Sequence, residues 1–280
     1  MIRDCTFIQA RYFWIFKSEI MSLNFSFLGA GNLAFHLAKA LNSKGFQIKQ
    51  IYNRTEIQAK ELAEITGSEY TSTLDEIDKS ADIYIVAVKD SAFDDVLSQI
   101  DFQDKLLIHC SGSQPISVLN KYAKNFGVIY PLQTFSKSRE IDFSRIPVFI
   151  EANSPENLET LKNIAGTISE KVSVANSEQR QLLHISAVFA CNFVNHFYLI
   201  AGELLKTKNI SFEVIKPLIL ETALKVQELK PFEAQTGPAV RFDKNIIEKH
   251  LSKLADTEEY RQLYELISKS IFEHHKKTNG

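Results

Sequence analysis

The pattern of apolar and polar positions divides the chain into two parts. From residue 23 to about residue 175, short runs rich in β-branched and aromatic residues alternate with amphipathic stretches, which is typical of successive βαβ units. After Asn176, apolar positions recur every three to four residues over long segments, which is a helical period. The sequence therefore predicts an α/β class protein: a doubly wound, mainly parallel Rossmann sheet followed by an all-helical C-terminal domain.

Six apolar runs are predicted strands, and a further short strand is expected at Lys171–Ala175. The six are Leu23–Leu28, Phe46–Tyr52, Ile83–Val88, Leu106–Cys110, Gly127–Tyr130 and Val148–Glu151. The clearest helical stretches between and after them are Leu33–Ser43, Thr55–Thr66, Ala92–Gln99, Ser177–Lys206, Phe212–Leu229, Asp243–Leu254 and Thr257–Lys276. Pro217 is expected to start or kink its helix, because proline cannot donate to the carbonyl four residues earlier.

Asn176 and Gln179 have the spacing of a helix capping box, so the helical part is expected to start there. We divide the chain at 175/176 into a Rossmann domain, residues 21–175, and a helical domain for substrate binding and dimerisation, residues 176–280. Residues 1–20 are interpreted as a disordered or spurious extension, because Met21 lies just before the first strand. A partner-binding arm is the alternative.

The composition excludes several classes of function. The 32 basic residues nearly balance the 34 acidic ones and leave a net charge of −2, so no broad attraction to nucleic acid or an anionic membrane is expected. Cys5, Cys110 and Cys191 are scattered and lack metal-binding spacing, which indicates reduced thiols in a cytoplasmic protein and no metal site. We see no apolar run close to the roughly 20 residues that a membrane helix needs.

A glycine-rich motif follows the first predicted strand directly and opens a helix. In this context G-x-G-x-x-G/A is the dinucleotide-binding fingerprint, with one glycine for the turn, one for the approach of the pyrophosphate and a small residue for helix packing. The motif supplies the first predicted cofactor residues. These are Gly29, Ala30, Gly31, Asn32 and Leu33, with Ala34 as the small packing residue.

The second strand ends without the acidic residue that would accept a hydrogen bond from the 2′-hydroxyl of NAD. Instead, Asn53, Arg54 and Thr55 follow it. A guanidinium can pair with the 2′-phosphate of NADP, and the amide and hydroxyl can hydrogen-bond to it. The predicted cofactor is therefore NADP(H). The alternative is that Arg54 is an ordinary surface arginine.

The carboxyl ends of three further strands and the turns after them hold more candidate residues, because open α/β sheets bind ligands at this edge. Val88, Asp90 and Ser111 are predicted to contact the cofactor. Ser113 and Gln133, in the next turns, are predicted to contact substrate. A turn or helix-capping role is the alternative for Ser111, and a plain turn is the alternative for the loop that holds Gln133.

Hydride transfer to a C=O or C=N bond needs a partner group that donates a proton or hydrogen bonds. His184, Asn192 and Asn195 are the candidates, since they are polar residues in a largely apolar helix. At 100° per residue His184 and Asn195 share one face. Structural hydrogen bonds within a helical core are the alternative.

The stretch AQTGPAVR, residues 234–241, interrupts two helices and carries few charges. Thr236 and Arg241 in this stretch are predicted substrate residues, with the guanidinium of Arg241 holding an anionic group of the substrate. A plain turn is the alternative.

The chain resembles a family of bacterial proteins in which a Rossmann-like domain is joined to a helical domain of unknown function numbered 2520. The resemblance covers about residues 23–271 and rests on GAGNLAFHLAKAL, IYNRT, HCSGS, YPLQTFS, SEQRQLLHISAVFACNFVNH and TGPAVR. More distantly, the arrangement is similar to 6-phosphogluconate-dehydrogenase-like enzymes, including ketopantoate, hydroxyisobutyrate-type and pyrroline-carboxylate enzymes. This resemblance implies a helical C-terminal domain that often forms a homodimer and a catalytic cleft between domains.

Ketopantoate reductases commonly place Lys-x-x-x-Asn-x-x-x-Asn on the corresponding helix, whereas this chain has His184, Val188 and Asn192 there. Only the last asparagine matches, and the lysine proton donor is replaced or lost. Our hypothesis is an NADP(H)-dependent oxidoreductase acting on a small anionic carbonyl or imine. Ketopantoate reduction is one alternative, and a non-catalytic NADP(H)-binding sensor, which the missing lysine favours, is another.

Overall fold

The computed structural model describes residues 22–278. Eight strands form one sheet in the order β3-β2-β1-β4-β5-β6-β7-β8. The strands are β1 Asn24–Leu28, β2 Gln47–Tyr52, β3 Glu69–Thr71, β4 Ile83–Val86, β5 Leu106–His109, β6 Asn125–Pro131, β7 Val148–Ala152 and β8 Val172–Val174. Neighbouring strands are parallel except β6 and β7, which pair antiparallel.

The first six strands follow the order 3-2-1-4-5-6, which is the order of a dinucleotide-binding Rossmann sheet. Strands β4 and β5 are buried along their full length. Both read as continuous apolar runs because helices cover both faces of a parallel sheet. The predicted fold class is confirmed.

Helices alternate with strands as far as β8, and the chain beyond β8 is helical. In the Rossmann part they are α1 Asn32–Ser43, α2 Glu56–Thr66, α3 Phe93–Leu97 and α4 Pro155–Ile168. Beyond it lie α5 Ser177–Ala187, a π-helical turn Val188–Phe193, α6 Val194–Lys206, α7 Lys216–Glu228, α8 Pro231–Ala234, α9 Lys244–Lys253 and α10 Glu258–Thr278. The Asn176–Gln179 capping box is present at the start of α5, and Pro217 lies in the first turn of α7.

Three of the strands and α-helices were not predicted: β3, α4 and the four-residue helix α8. Strand β3 is only three residues long and mostly exposed at the sheet edge, so it has no apolar run to mark it. Helix α4 has clear local signals, namely a Ser154 side chain that accepts a hydrogen bond from the backbone N–H of Asn157, and Pro155 in its first turn. These are common features of a helix start.

The chain forms two compact units, Met1–Cys191 and Asn192–Gly280. The division lies inside the helical run rather than at the predicted 175/176, because the first turns of α5 are held by side-chain hydrogen bonds to loops of the Rossmann sheet. The first unit contains a large apolar core on both faces of the sheet. In the described part of the second unit, Ala239, Leu254 and Ser268 are the buried residues.

The helical run Ser177–Lys206 corrects one expectation. Its length and its mean hydropathy of 1.4 are sufficient for a membrane-crossing helix by composition alone, and none of its apolar window is buried. Counting uninterrupted apolar residues missed it, because isolated polar residues such as His184 and Asn192 break the run without lowering the average much. One such helix is weak evidence for a membrane span, since core helices of other proteins share this composition.

Candidate active site

The glycine-rich turn between β1 and α1 has the geometry of a nucleotide-binding turn. Gly29 has a φ of +117°, a conformation that glycine adopts readily. A Cβ on Gly29 would lie 2.5 Å from the carbonyl oxygen of Ala87, whereas a Cβ on Gly31 would meet no atom within 4 Å. The turn therefore leaves open space at Gly31, where the backbone N–H groups at the start of α1 are available to an anion.

The segment after β2 supports this turn and presents a cation. The side-chain oxygen of Asn53 accepts a hydrogen bond from the backbone N–H of Ala30 at 3.2 Å, and its amide nitrogen donates to the carbonyl of Thr55 at 3.0 Å. Asn53 thus positions the glycine-rich turn. Arg54 and Thr55 are exposed, and Arg54 forms no ion pair with another described side chain. Its guanidinium is free to receive a phosphate.

Three of the predicted residues meet where β4 and β5 end. The hydroxyl of Ser111 donates to a carboxylate oxygen of Asp90 at 3.0 Å, and the hydroxyl of Ser113 donates to the same oxygen. Ser111 also accepts from the backbone N–H groups of Ser113 and Gln114. Val88, just after β4, is half-buried against the apolar core on this side of the sheet. The two loops are therefore tied together by Asp90.

The first turns of α5 hold the loop after β5. Arg180 is 1% exposed, and its guanidinium donates to the carbonyl oxygens of Ser111 at 3.2 Å and Gln114 at 2.7 Å. It also pairs with the carboxylate of Glu151 on β7. A buried charge needs such partners, because burying an unpaired ion costs several kcal/mol. The hydroxyl of Ser177 adds to this clamp by accepting from the backbone N–H of Ile116 and donating to Glu151.

His184 lies directly against this loop. A Cβ on Gly112 would stand 2.7 Å from Nδ1 of His184, so only a glycine leaves room for the imidazole there. The same Nδ1 lies 3.1 Å from the hydroxyl oxygen of Tyr130 at the end of β6. The two rings meet edge to face with centroids 6.2 Å apart. His184, Tyr130 and the Ser111–Ser113 loop therefore form one cluster at the carboxyl edge of the sheet.

The electrostatics of the cluster are dominated by burial. Burial raises the pKa of Tyr130, and the positive charge of Arg180 partly opposes this increase. For His109, burial and the charge of Arg180 lower the pKa to about 3, against smaller opposing effects of Asp90 and the Pro115 carbonyl. His109 is thus neutral, and its Nδ1 accepts a hydrogen bond from the backbone N–H of Ser111.

The other predicted substrate residues lie elsewhere. The amide oxygen of Gln133 accepts from the backbone N–H of Thr134, so this side chain folds onto its own exposed loop. In the second unit, Arg241 is exposed and Thr236 borders an apolar cavity of about 350 Å³. Asn195 borders an open groove of about 600 Å³ in that unit, and Asn192 is exposed.

The π-helical turn corrects one argument from the sequence. Residues 188–193 form hydrogen bonds with π rather than α periodicity, so each residue there turns the chain by less than 100°. The shared face of His184 and Asn195 was deduced from 100° per residue and no longer follows. Local sequence gave no signal for the extra residue in this turn. Such turns are frequent at functional sites.

Sequence reasoning missed Tyr130, Arg180 and Glu151. One signal was available, because Arg180 precedes His184 by four residues and must lie on the same helix face. Tyr130 meets His184, and Glu151 meets Arg180, only because β6 pairs with β7 and α5 crosses the ends of these strands. No local sequence pattern encodes this arrangement. Among residues 22–278, no group of three His, Cys, Asp or Glu side chains is arranged to hold a metal ion.

The strand order, the open turn at Gly31 and the free Arg54 define a Rossmann-type dinucleotide-binding domain. Comparison with known families agrees with this class. Residues 24–112 match the model of the NADP oxidoreductases described as coenzyme F420-dependent, and residues 146–271 match the domain of unknown function 2520.

Relatives extend the match to nearly the whole chain. A Bacteroides fragilis protein provisionally named an NADP oxidoreductase is 51% identical, with a TM-score of 0.87 over 91% of this chain and 99% of that one. An imine reductase from Myxococcus stipitatus, solved with NADP+, shares the fold at 16% identity, with a TM-score of 0.64 over 91% of this chain and 94% of that one.

A shorter match is to a curated Caenorhabditis elegans protein provisionally named pyrroline-5-carboxylate reductase 4, 30% identical over 106 residues. It covers 35% of this chain and 36% of that protein. On the near-complete match to the Bacteroides protein and the two family models, the chain belongs to the family of NADP oxidoreductases that join a Rossmann domain to a 2520 domain.

Proposed function

We propose that the protein reduces a C=N or C=O bond in a small anionic substrate with NADPH, and that His184 donates the proton. The observation that carries the proposal is the contact of the His184 imidazole with Gly112, in the loop after β5 at the carboxyl edge of the sheet. Ligands bind at this edge in Rossmann folds. A histidine is suited to proton transfer near neutral pH.

The geometry of the first unit supports the following cofactor residues. Gly29 to Leu33 would receive the pyrophosphate at the start of α1, and Arg54 with Thr55 would hold the 2′-phosphate, while Asn53 orients the turn. Val88, Asp90 and Ser111 would line the ribose and nicotinamide. When bound, NADPH supplies a hydride to the carbon of the C=N or C=O bond.

The proposed substrate residues lie in both units of the chain. Ser113 belongs to the cluster, Gln133 lies on the exposed loop after β6, and Asn192, Asn195, Thr236 and Arg241 belong to the second unit. Asn192 and Asn195 would orient the substrate, and Arg241 would hold its carboxylate or phosphate. An imine is favoured over a carbonyl by the names of two relatives, an imine reductase and a pyrroline-5-carboxylate reductase.

The first test is a fluorescence titration with NADPH and NADH of the native protein and of the Arg54→Ala variant. We expect tighter binding of NADPH and a selective loss of that preference in Arg54→Ala. Arg145, another exposed arginine on the first unit, supplies the control variant Arg145→Ala, which should bind like the native protein. Binding of neither nucleotide would refute the proposal.

The second test is catalytic. NADPH oxidation is followed with 1-pyrroline-5-carboxylate as an imine and ketopantoate as a keto acid. His184→Ala should lower the rate by at least about a hundredfold, the lower range for general acid catalysis. Unchanged turnover in His184→Ala would remove His184 from the mechanism. Preference for ketopantoate would favour the ketopantoate alternative, and nucleotide binding without turnover of any imine or keto acid would favour the sensor.

The helical unit is proposed to dimerise with a second copy of this chain in the cytoplasm. Three of its described residues are buried, which is far too few to form an apolar core. Several leucines are strongly exposed. They are Leu199, Leu218, Leu220 and Leu224, at 53–66% exposure. An apolar surface of this kind marks an interface.

Sedimentation equilibrium tests the dimer. The native protein should have twice the mass of the chain, and Leu218→Glu should dissociate it. Ile57→Glu is the control, since Ile57 is 65% exposed on α2 of the other unit. A native monomer would contradict the dimer, and a vesicle-bound protein would indicate instead that Ser177–Lys206 enters a membrane.

A further inference from the structure

Tyr130 is hydrogen-bonded to the imidazole that we propose as proton donor, and nothing in its own strand explains why a phenol is buried there. Its side chain is 6% exposed. Its hydroxyl lies 3.1 Å from Nδ1 of His184, and His184 is the partner recorded for it among residues 22–278. We propose that Tyr130 is the internal proton source of His184, so that the two residues form a relay from β6 to the substrate. The inference rests on the proposed function.

The direction of the hydrogen bond decides whether a relay can operate. A phenol hydroxyl that donates to Nδ1 fixes the neutral imidazole in the tautomer with hydrogen on Nε2. His184 is half-buried, and its Nε2 has no hydrogen-bond partner among the described residues. In that tautomer, Nε2–H is the group left to donate outside the cluster, while Nδ1 lies against Tyr130 and Gly112.

The surroundings of Tyr130 contain one charge that favours giving up the proton. The guanidinium of Arg180 acts against the burial that raises the pKa of Tyr130. The negative charge of Glu151, on the neighbouring strand, is paired with that guanidinium. His109, another ionisable group near Arg180, is neutral because its pKa is about 3, and Arg180 is the charged group that shifts the pKa of Tyr130. Arg180 is thus the charge that offsets a transient phenolate.

The proton steps balance. The nitrogen or oxygen of the substrate takes the proton from Nε2 of His184 as the carbon receives the hydride. Nδ1 then takes the proton of the Tyr130 hydroxyl, which leaves a neutral imidazole of the opposite tautomer and a phenolate. Nδ1 then returns this proton to the phenolate while Nε2 takes one proton from solvent, which restores the phenol and the starting tautomer of His184. In total, the C=N or C=O bond gains one hydride and one proton.

The first readout needs no turnover. In protein labelled with ¹⁵N-histidine, the nitrogen shifts of His184 report its tautomer, and we expect the Nε2–H form in the native protein and a mixed population in Tyr130→Phe. Tyr84→Phe is the matched control, because Tyr84 is a buried tyrosine whose hydroxyl donates to the Asp78 carbonyl, away from His184. An Nδ1–H tautomer in the native protein would overturn the relay.

The second readout separates a relay from a packing role. With the imine as substrate, Tyr130→Phe should lower kcat about tenfold or more with little change in KM for NADPH. A proton inventory in mixed H₂O and D₂O should then change from two transferred protons to one. An unchanged kcat in Tyr130→Phe, together with a large loss in His184→Ala, would refute the relay and leave the proposed function standing. If neither Tyr130→Phe nor His184→Ala changed kcat, the proposed function itself would be refuted.

Discussion

Gly112 and His184 are in direct contact: a Cβ on Gly112 would lie 2.7 Å from Nδ1, 2.8 Å from Cγ and 2.9 Å from Cβ of His184. The loop after β5 and the helix α5 thus meet with no space for even a methyl group. Since Arg180 and Gln181 also donate to carbonyls of this loop, the position of His184 is fixed by the loop that we propose to bind nicotinamide.

Replacing Gly112 with alanine should therefore displace His184 and lower the reduction rate by about a hundredfold, since a shift of 1 Å can cost that much. Gly166→Ala is the control, because a Cβ there meets no atom within 4 Å in helix α4. It should leave the rate unchanged and stabilise the fold by about 0.5–1 kcal/mol. Rate and melting temperature are measured together, and full activity of Gly112→Ala would contradict the placement of His184.

The two glycines of the first turn should fail in different ways. Gly29→Ala combines a strained φ of +117° with a contact of 2.5 Å to a backbone oxygen, so it should lower the free energy of unfolding by roughly 1–3 kcal/mol. Gly31→Ala meets open space and should change stability by less than about 0.5 kcal/mol.

For NADPH binding we expect the opposite order, with Gly31→Ala more damaging than Gly29→Ala. Gly31→Ala should weaken NADPH binding at least about tenfold, because the added methyl occupies the approach of the pyrophosphate to the backbone. Urea denaturation and fluorescence titration measure the two properties separately. Native affinity in a stable Gly31→Ala protein would show that the pyrophosphate lies elsewhere.

Removing the buried guanidinium of Arg180 should destabilise the protein far more than removing an exposed one. Arg180→Met leaves the carboxylate of Glu151, 15% exposed, without its cation, and should cost about 3–5 kcal/mol. Arg261→Met, which breaks the exposed pair with Glu258, should cost less than about 1 kcal/mol.

The double variant Arg180→Met, Glu151→Gln should recover part of the loss, because neither charge then remains buried alone. Urea denaturation at one fixed protein concentration measures all of these variants, since a dimer makes stability depend on concentration. Equal losses at Arg180 and Arg261 would argue against the clamp.

His109 should make the fold less stable in acid. Its pKa in the folded protein is about 3, below the ordinary 6.5, so between these values the unfolded chain binds a proton that the folded chain does not. The contribution of neutral His109 to the free energy of unfolding is therefore complete above pH 6.5. It is lost as the pH falls towards 3, at up to about 1.4 kcal/mol per pH unit. In His109→Gln, the slope of unfolding free energy against pH between pH 4 and 6 should be smaller by that amount. Equal slopes in the two proteins would contradict the prediction, and so would an NMR titration of His109 near pH 6.

Local sequence determined much of this protein. The alternation of strands and helices, the glycine-rich turn, the acid-free end of β2 and the capping box at Asn176 are all short-range patterns, and each reflects backbone or side-chain chemistry within a few residues. They were sufficient for the Rossmann fold and for NADP(H). His184 could also be selected, because an imidazole in an apolar helix needs a partner.

Only the tertiary structure decided what that partner is. Tyr130 is 54 residues from His184 along the chain, and Glu151 reaches Arg180 only because β7 runs antiparallel to β6 and α5 starts beside its end. The π-helical turn likewise follows from no local propensity, and it cancelled a face argument that assumed regular helix geometry. Long-range packing sets these contacts, because each contact joins two segments whose local sequence patterns are compatible with many other arrangements.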